Sequence, residues 1–171
     1  MKNFTSLSTP RLQLRSLETR DWEEISYLRS DALMNQYVSR SSAKNKKEAL
    51  AFIYKIQKGI RNREILYWSI CFKDDPKMLG SICLWHFSKD GTTAEVGYDL
   101  ATNVQGKGIM DEALKKLIDY AFHELNLQKI EAYTHKENAK SLALLERNHF
   151  KLNLKQKDKN NKNNVILTLA C

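Results

Sequence analysis

Gln105, Gly106, Lys107 and Gly108 stand directly ahead of IMDEALKKL, a run with the spacing of a helix. Glycine in a helix costs about 1 kcal/mol against alanine, so two of them beside a helix mouth need a reason. The first turn of a helix carries N–H groups without an internal partner, and the helix dipole concentrates partial positive charge there. An anion binds such a mouth if it can approach the main chain closely. Side chains at 106 and 108 would hold a phosphate away, whereas glycine lets it rest on the N–H groups. Lys107 adds a full charge and the Gln105 amide a further donor. Gln105 to Met110, including Ile109, thus reads as a cradle for a diphosphate. The bland alternative is a glycine-bearing loop that merely ends the preceding strand. The segment is no P-loop, because GKG lacks the G-x-x-x-x-G-K-[ST] spacing. Nor does it complete G-x-G-x-x-G, since Gly108 is followed by Ile109-Met110-Asp111.

Just upstream, residues 94–100 alternate Glu95, Gly97 and Asp99 against Val96, Tyr98 and Leu100. In a strand these sets point to opposite faces. The apolar set should face the glycine-led helix and the acidic set the opposite layer. Further on, Asn138 is a natural N-cap for the helix of NAKSLALLE, with Ser141 in its first turn.

The elements that position these residues follow from periodicity. RLQLR (11–15) alternates as a half-buried strand does. Trp22, Ile25 and Leu28 then recur at helical spacing. Asn45 and Glu48 have the spacing of a capping box and open a helix with Ala49, Phe52, Ile53, Ile56 and Ile60 on one stripe. Strands 65–72, 78–87 and 92–100 follow, separated by the turn-like KDDPK and SKDG, as an antiparallel meander. A helix over 109–125 buries Met110, Ala113, Leu114, Leu117, Ala121 and Leu125. Strand 128–134, helix 139–148 and strands 149–154 and 165–169 complete the order. The fold class is α/β: a central, mixed, mostly antiparallel sheet with helices on both faces. With no linker or internal repeat, we expect one domain over residues 1–171, long enough to bury a core.

Composition narrows the function classes. No run of 18 apolar residues exists, so no membrane span is expected, and MKNFTSLSTPRLQLR lacks the apolar region of a secretion signal. Cys71, Cys83 and Cys171 cannot all pair and lack metal-site spacing; they read as reduced packing residues of a cytoplasmic protein. No metal is expected. The net charge of +8 sits in two stretches: residues 41–64, with seven Lys/Arg against two Glu, and 151–164, with five Lys against one Asp. The second is Lys and Asn without interleaved Arg or aromatics, a solvated loop rather than a surface that reads bases. His86, His123, Trp68 and Trp85 read as structural.

QGKGIMDEAL after a strand, followed by KIEAYTHKENAKSLALLERNHFK, resembles the GCN5-related N-acetyltransferases (GNAT), which use acetyl-CoA. Their Q/R-x-x-G-x-G/A motif matches at Gln105 and Gly108 and departs at Met110. TPRLQLRSLETRDWEEI, AEVGYDL and NAKSLALLERNHF resemble more narrowly the RimJ/RimL branch, which acetylates N-termini of ribosomal proteins. The resemblance spans about residues 8–154.

It implies a GNAT-like fold with the pyrophosphate on the N–H groups of Gln105 to Met110. The pantetheine would lie between strands 92–100 and 128–134, and the acyl carbonyl would meet a backbone N–H near Asp99 to Leu100. A donor of that kind is typically worth about 2.7–4 kcal/mol. The acceptor must lose a proton from an α-amine with a pKa of about 8 or a lysine of about 10.4. Glu95, matching the Glu of the family's E-x-G-Y, is the candidate general base, with Asp99 as fallback. Asn138 and Ser141 would lie near the pantetheine and sulfur, with Ser141 a hydrogen-bond donor to the leaving thiolate. Where many relatives carry a tyrosine as general acid this chain has Leu145, and His149 replaces a common glycine. The implied reaction is direct transfer from acetyl-CoA to a primary amine in a ternary complex. The amine would be a ribosomal-protein N-terminus or a small molecule, with a homodimer left open. A non-catalytic acyl-CoA-binding module and a basic nucleic-acid-binding protein are the competing readings.

Overall fold

The computed structural model describes residues 4–171; the first three residues of the stretch weighed as a signal lie outside it. Eight strands form one sheet in the order β1-β2-β3-β4-β5-β6-β8-β7. They are β1 (Leu7–Ser8), β2 (Leu12–Ser16), β3 (Leu66–Phe72), β4 (Gly80–Trp85), β5 (Thr93–Leu100), β6 (Lys129–His135), β7 (Lys151–Leu152) and β8 (Asn164–Ala170). Every neighbouring pair is antiparallel except β5 and β6. A parallel pair needs a crossover that leaves the sheet and returns. Here the crossover is α4 (Ile109–Asp119).

Helices cover both faces. α4 and α5 (Ala139–Arg147) pack on one side, where Ile109, Leu114, Leu117 and Leu145 join Trp68, Ile82 and Val96. On the other side α1 (Trp22–Ser30) and α3 (Lys46–Arg61) bury Ile25, Leu28, Ala49 and Ile53 against Tyr67 and Met78. β3 is buried on both faces, which is why LYWSICF reads as a continuous apolar run rather than an alternation.

Local signals explain most boundaries. The Asn45 side chain accepts from the Glu48 N–H at 3.0 Å, the capping-box spacing read from the sequence. The helical stretch after Arg20 is interrupted at Asp31, whose extended backbone ends α1. Its carboxylate accepts the Met34 N–H at 2.9 Å to open the four-residue α2 (Ala32–Asn35). α5 ends in a Schellman turn. The Phe150 N–H returns to Leu145 O and the His149 N–H to Glu146 O, with His149 at φ 66°. Histidine there occupies the left-handed position that glycine usually takes. Among the described residues no helix is long and apolar enough to cross a membrane.

α4 continues into a π-helical turn over Tyr120–Glu124. Tyr120 is 5% exposed and meets Trp68 edge-on, and its hydroxyl has no hydrogen-bond partner among the described residues. A buried unpaired polar group costs about 1–3 kcal/mol. Tyr120→Phe is therefore expected to stabilise the protein by about 1 kcal/mol, raising Tm by about 2–4 °C in calorimetry. A lower Tm would mean that the hydroxyl has a partner.

Candidate active site

Backbone conformation at the mouth of α4 gives the two glycines a reason beyond ligand access. Gly106 lies at φ 75° and Gly108, the N-cap of α4, at φ 70°. Left-handed backbone costs other L-residues about 1–2 kcal/mol. A Cβ on Gly106 would meet no protein atom within 4 Å, and one on Gly108 only Arg11 Nη2 at 3.5 Å. The space in front of both is open. Among the described residues, the N–H groups from Gly108 to Asp111 make no hydrogen bond. Lys107 is exposed, while Ile109 and Met110 are buried and offer only their main chain.

Side chains from elsewhere brace this mouth. The Gln105 amide donates to Leu100 O at 2.9 Å and accepts from Lys140 Nζ at 3.1 Å, tying the end of β5 to α5. Arg11 donates to Lys107 O at 3.1 Å and pairs with Glu112 of α4 at 2.6 Å. Glu112 also accepts from the Thr9 hydroxyl and the Arg11 N–H. Arg11 was invisible as a site residue in the sequence, where RLQLR says only "strand".

Beside the mouth the sheet opens. The β5–β6 ladder runs from Thr93↔Lys129 to Val96↔Ala132 and stops. Beyond it, Gly97 to Leu100 stay paired to β4 while Tyr133 to His135 stay paired to β8. The Tyr98 hydroxyl and Ser141 Oγ meet at 2.8 Å, joining β5 to the first turn of α5. Asn138 caps that turn by accepting the Ser141 N–H at 3.2 Å. Burial pushes the Tyr98 phenol up to about 12 against a smaller pull from Ser141. Leu145 is fully buried in the core, so no acid stands at that position.

On the opposite face the alternation of β5 delivers Glu95 and Asp99 as read from the sequence. Their surroundings differ. Asp99 is an acceptor already filled: Arg40 Nη1 at 2.8 Å on one oxygen, Ser81 N at 3.1 Å and Ser81 Oγ at 2.6 Å on the other. Arg40 also ties down Leu28 O and Asn35, so its charge is spent within the fold. Glu95 is 16% exposed, and burial pushes its carboxyl above the ordinary carboxylate range. A hydrogen bond from His86 pulls the other way. His86 Nδ1 lies 2.8 Å from Glu95 Oε2, and its ring stacks on Trp85, with centroids 4.2 Å apart. The sequence reading set both aside. Trp68 is indeed fully buried, but Trp85 is 37% exposed at the edge of this face. Glu131, the register partner of Glu95, is held by Lys129 at 2.8 Å. A half-sequestered carboxylate with a raised pKa beside a sheet opening is suited to take a proton from an amine.

The sequence matches the acetyltransferase (GNAT) domain family over residues 11–151. It is 34% identical over 140 residues to p20, an uncharacterized N-acetyltransferase of Bacillus licheniformis, covering 82% of this chain and 79% of that one. The ribosomal-protein-S5-alanine acetyltransferase of Vibrio fischeri has the same fold: TM-score 0.81 at 21% identity, over 97% of this chain and 96% of the other. The microcin C7 self-immunity acetyltransferase MccE, solved with acetyl-CoA and AMP, also shares it. Its TM-score is 0.81 at 23% identity, over 95% of this chain and 94% of the other.

The cap at Asn138 holds one wall of the opening. Asn138→Ala is expected to cost about 1 kcal/mol and lower Tm by about 2–4 °C, with Asn138→Asp close to the parent in thermal unfolding.

Proposed function

This chain belongs to the GNAT acetyltransferases and moves acetyl groups from acetyl-CoA onto amines, and we propose that the opened seam of the sheet is where it does so. The observation that carries this reading is the row of N–H groups from Gly108 to Asp111 that none of the described residues accepts, set beside the point where β5 and β6 part. Gly106, Gly108, Ile109 and Met110 would hold the diphosphate on their main chain, with Lys107 supplying charge. Gln105 acts one step back, fixing the loop to Leu100 and Lys140. The pantetheine would run through the seam past Asn138, and a main-chain N–H near Asp99 and Leu100 would meet the thioester oxygen.

Glu95, rather than Asp99, is the base in this scheme. Asp99 already satisfies three donors, whereas Glu95 is bound on one oxygen by His86. The acceptor amine loses its proton to Glu95 through water, and its nitrogen attacks the thioester carbon. As the carbon–sulfur bond breaks, Ser141 donates to the departing sulfur, backed by the Tyr98 hydroxyl. With a leucine core residue at 145, these two hydroxyls are the donors at hand.

For the acceptor we assign the primary-amine class. The name of the Vibrio fischeri neighbour supports a protein N-terminus as one arm; a small-molecule amine is the other. Thiol release from acetyl-CoA against a panel of free-amine peptides and small amines tests this, with no release against any amine overturning catalysis. Glu95→Gln is expected to lower turnover about 100-fold or more and leave acetyl-CoA affinity unchanged. Gly108→Val, which puts a branched side chain on a left-handed residue in front of the cradle, should weaken acetyl-CoA about tenfold or more by calorimetry. Full affinity in a folded Gly108→Val would overturn the cradle.

A further inference from the structure

Histidine 86 breaks the pattern of its strand. Trp85 is the last residue of β4 and lies directly opposite Glu95, so the two share a face. Continued extension would send residue 86 to the other face. Instead His86 takes φ 47°, a left-handed backbone rare outside glycine though better tolerated by histidine than by most. The ring stays on the Trp85 side, nearly parallel to the indole at 12°, with Nδ1 on Glu95 Oε2. Its side chain is 66% exposed and that of Glu95 16%, so the pair spans from water to a sequestered carboxylate.

We propose that His86 is the positioning residue of the base: its Nδ1–H, held on Oε2, keeps the Glu95 carboxylate aimed and ionised while the enzyme works. This rests on Glu95 being the base. The Nδ1–H is present in one neutral tautomer and in the imidazolium, and either form can donate to Oε2. Among the groups around Glu95, Asp158 of the final hairpin loop and burial both favour the protonated acid, whereas His86 and the Trp85 indole favour the carboxylate. On β6, Glu131 faces Glu95 in register, with its own charge met by Lys129, and Tyr133 donates to Glu131. Cys83 lies beneath on β4, its thiol pushed by burial up to about 12, and so carries no charge. His86 and Trp85 are therefore the donors that oppose burial, and of these only His86 holds its place by an unusual backbone.

The backbone also supplies a clean variant, because glycine takes φ 47° without cost. His86→Gly should fold with an unchanged or higher Tm. The Glu95 side-chain carbon, followed by 13C NMR in the full chain and assigned with Glu95→Gln, should titrate about one pH unit higher in His86→Gly. With the fastest amine from the panel, the acidic limb of kcat/KM should rise by the same amount. The rate should recover to within about twofold on the alkaline side, since one unit is a tenfold change below the limb. His86→Asn, which tolerates the backbone and keeps a donor, should shift less, and added imidazole should restore the glycine variant in part. A His86→Gly titration and profile that superimpose on the parent would overturn the proposal while Glu95→Gln still loses turnover. A uniform loss at every pH together with a lowered Tm would overturn it too, as a merely structural role. Full activity in Glu95→Gln would instead sink the base assignment beneath it.

Discussion

One parallel ladder in an otherwise antiparallel sheet governs the rest of this structure. Because β5 and β6 run the same way, the chain must leave the sheet after Leu100, cross over as α4 and re-enter at Lys129. That route puts the N-terminus of α4, with its uncompensated N–H groups, at the C-terminal end of β5. Because β5 and β6 are each also held by an antiparallel neighbour, they can part after Val96 and Ala132 while staying in the sheet, which leaves the main-chain groups on their facing edges open to the seam. The opening and the anion-seeking helix mouth are two results of one topological fact, which is why they lie side by side.

Charge is sorted across the sheet by the two-residue period of β5. One side of the strand sends Val96 and Leu100 into the core under α4, where burial favours apolar groups. The other sends Glu95 and Asp99 toward the layer of α1 and α3, where each meets a nitrogen base. In the proposed scheme the helix mouth would offer N–H groups and Lys107 to an anionic donor, and the opposite face a carboxylate to a cationic acceptor. A phosphate-bearing thioester and an ammonium would then approach from opposite sides of one strand. The overall charge of +8 says little about this division, since Arg11, Arg15 and Arg40 are spent on Glu112, Asp21 and Asp99.

Features set by local sequence were legible before the structure: the cap at Asn45, the apolar stripe of α3, the alternation of β5, the N-cap at Asn138 and the helix led by Gly106 and Gly108. Each depends on residues within a few positions of one another. Features that depend on distant partners were not. Thr9 and Arg11 reach α4 across about a hundred positions, and Tyr98 meets Ser141 across 43. The break at Asp31 is local, yet it was hidden because helical spacing on either side of it continues. His86 was passed over for a related reason. A lone strand histidine whose face is open reads as structural, and nothing in LWHF announces a left-handed turn.

The contrast between Glu95 and Asp99 shows why a pair of candidate carboxylates on one strand cannot be ranked by sequence. Both are acidic, both lie on the same face, and they are four residues apart. What separates them is how many donors each has already accepted. Asp99 takes an arginine, a hydroxyl and a main-chain N–H, so its oxygens are committed to holding the fold together. Glu95 is partly desolvated, which raises its proton affinity, and its donors are the side chains of His86 and Trp85 rather than an arginine and a main-chain N–H. A base must be able to gain a proton and lose it again without unmaking the fold. By that criterion Asp99 fastens the 35–40 segment to the sheet, and Glu95 is the carboxylate we propose as the base.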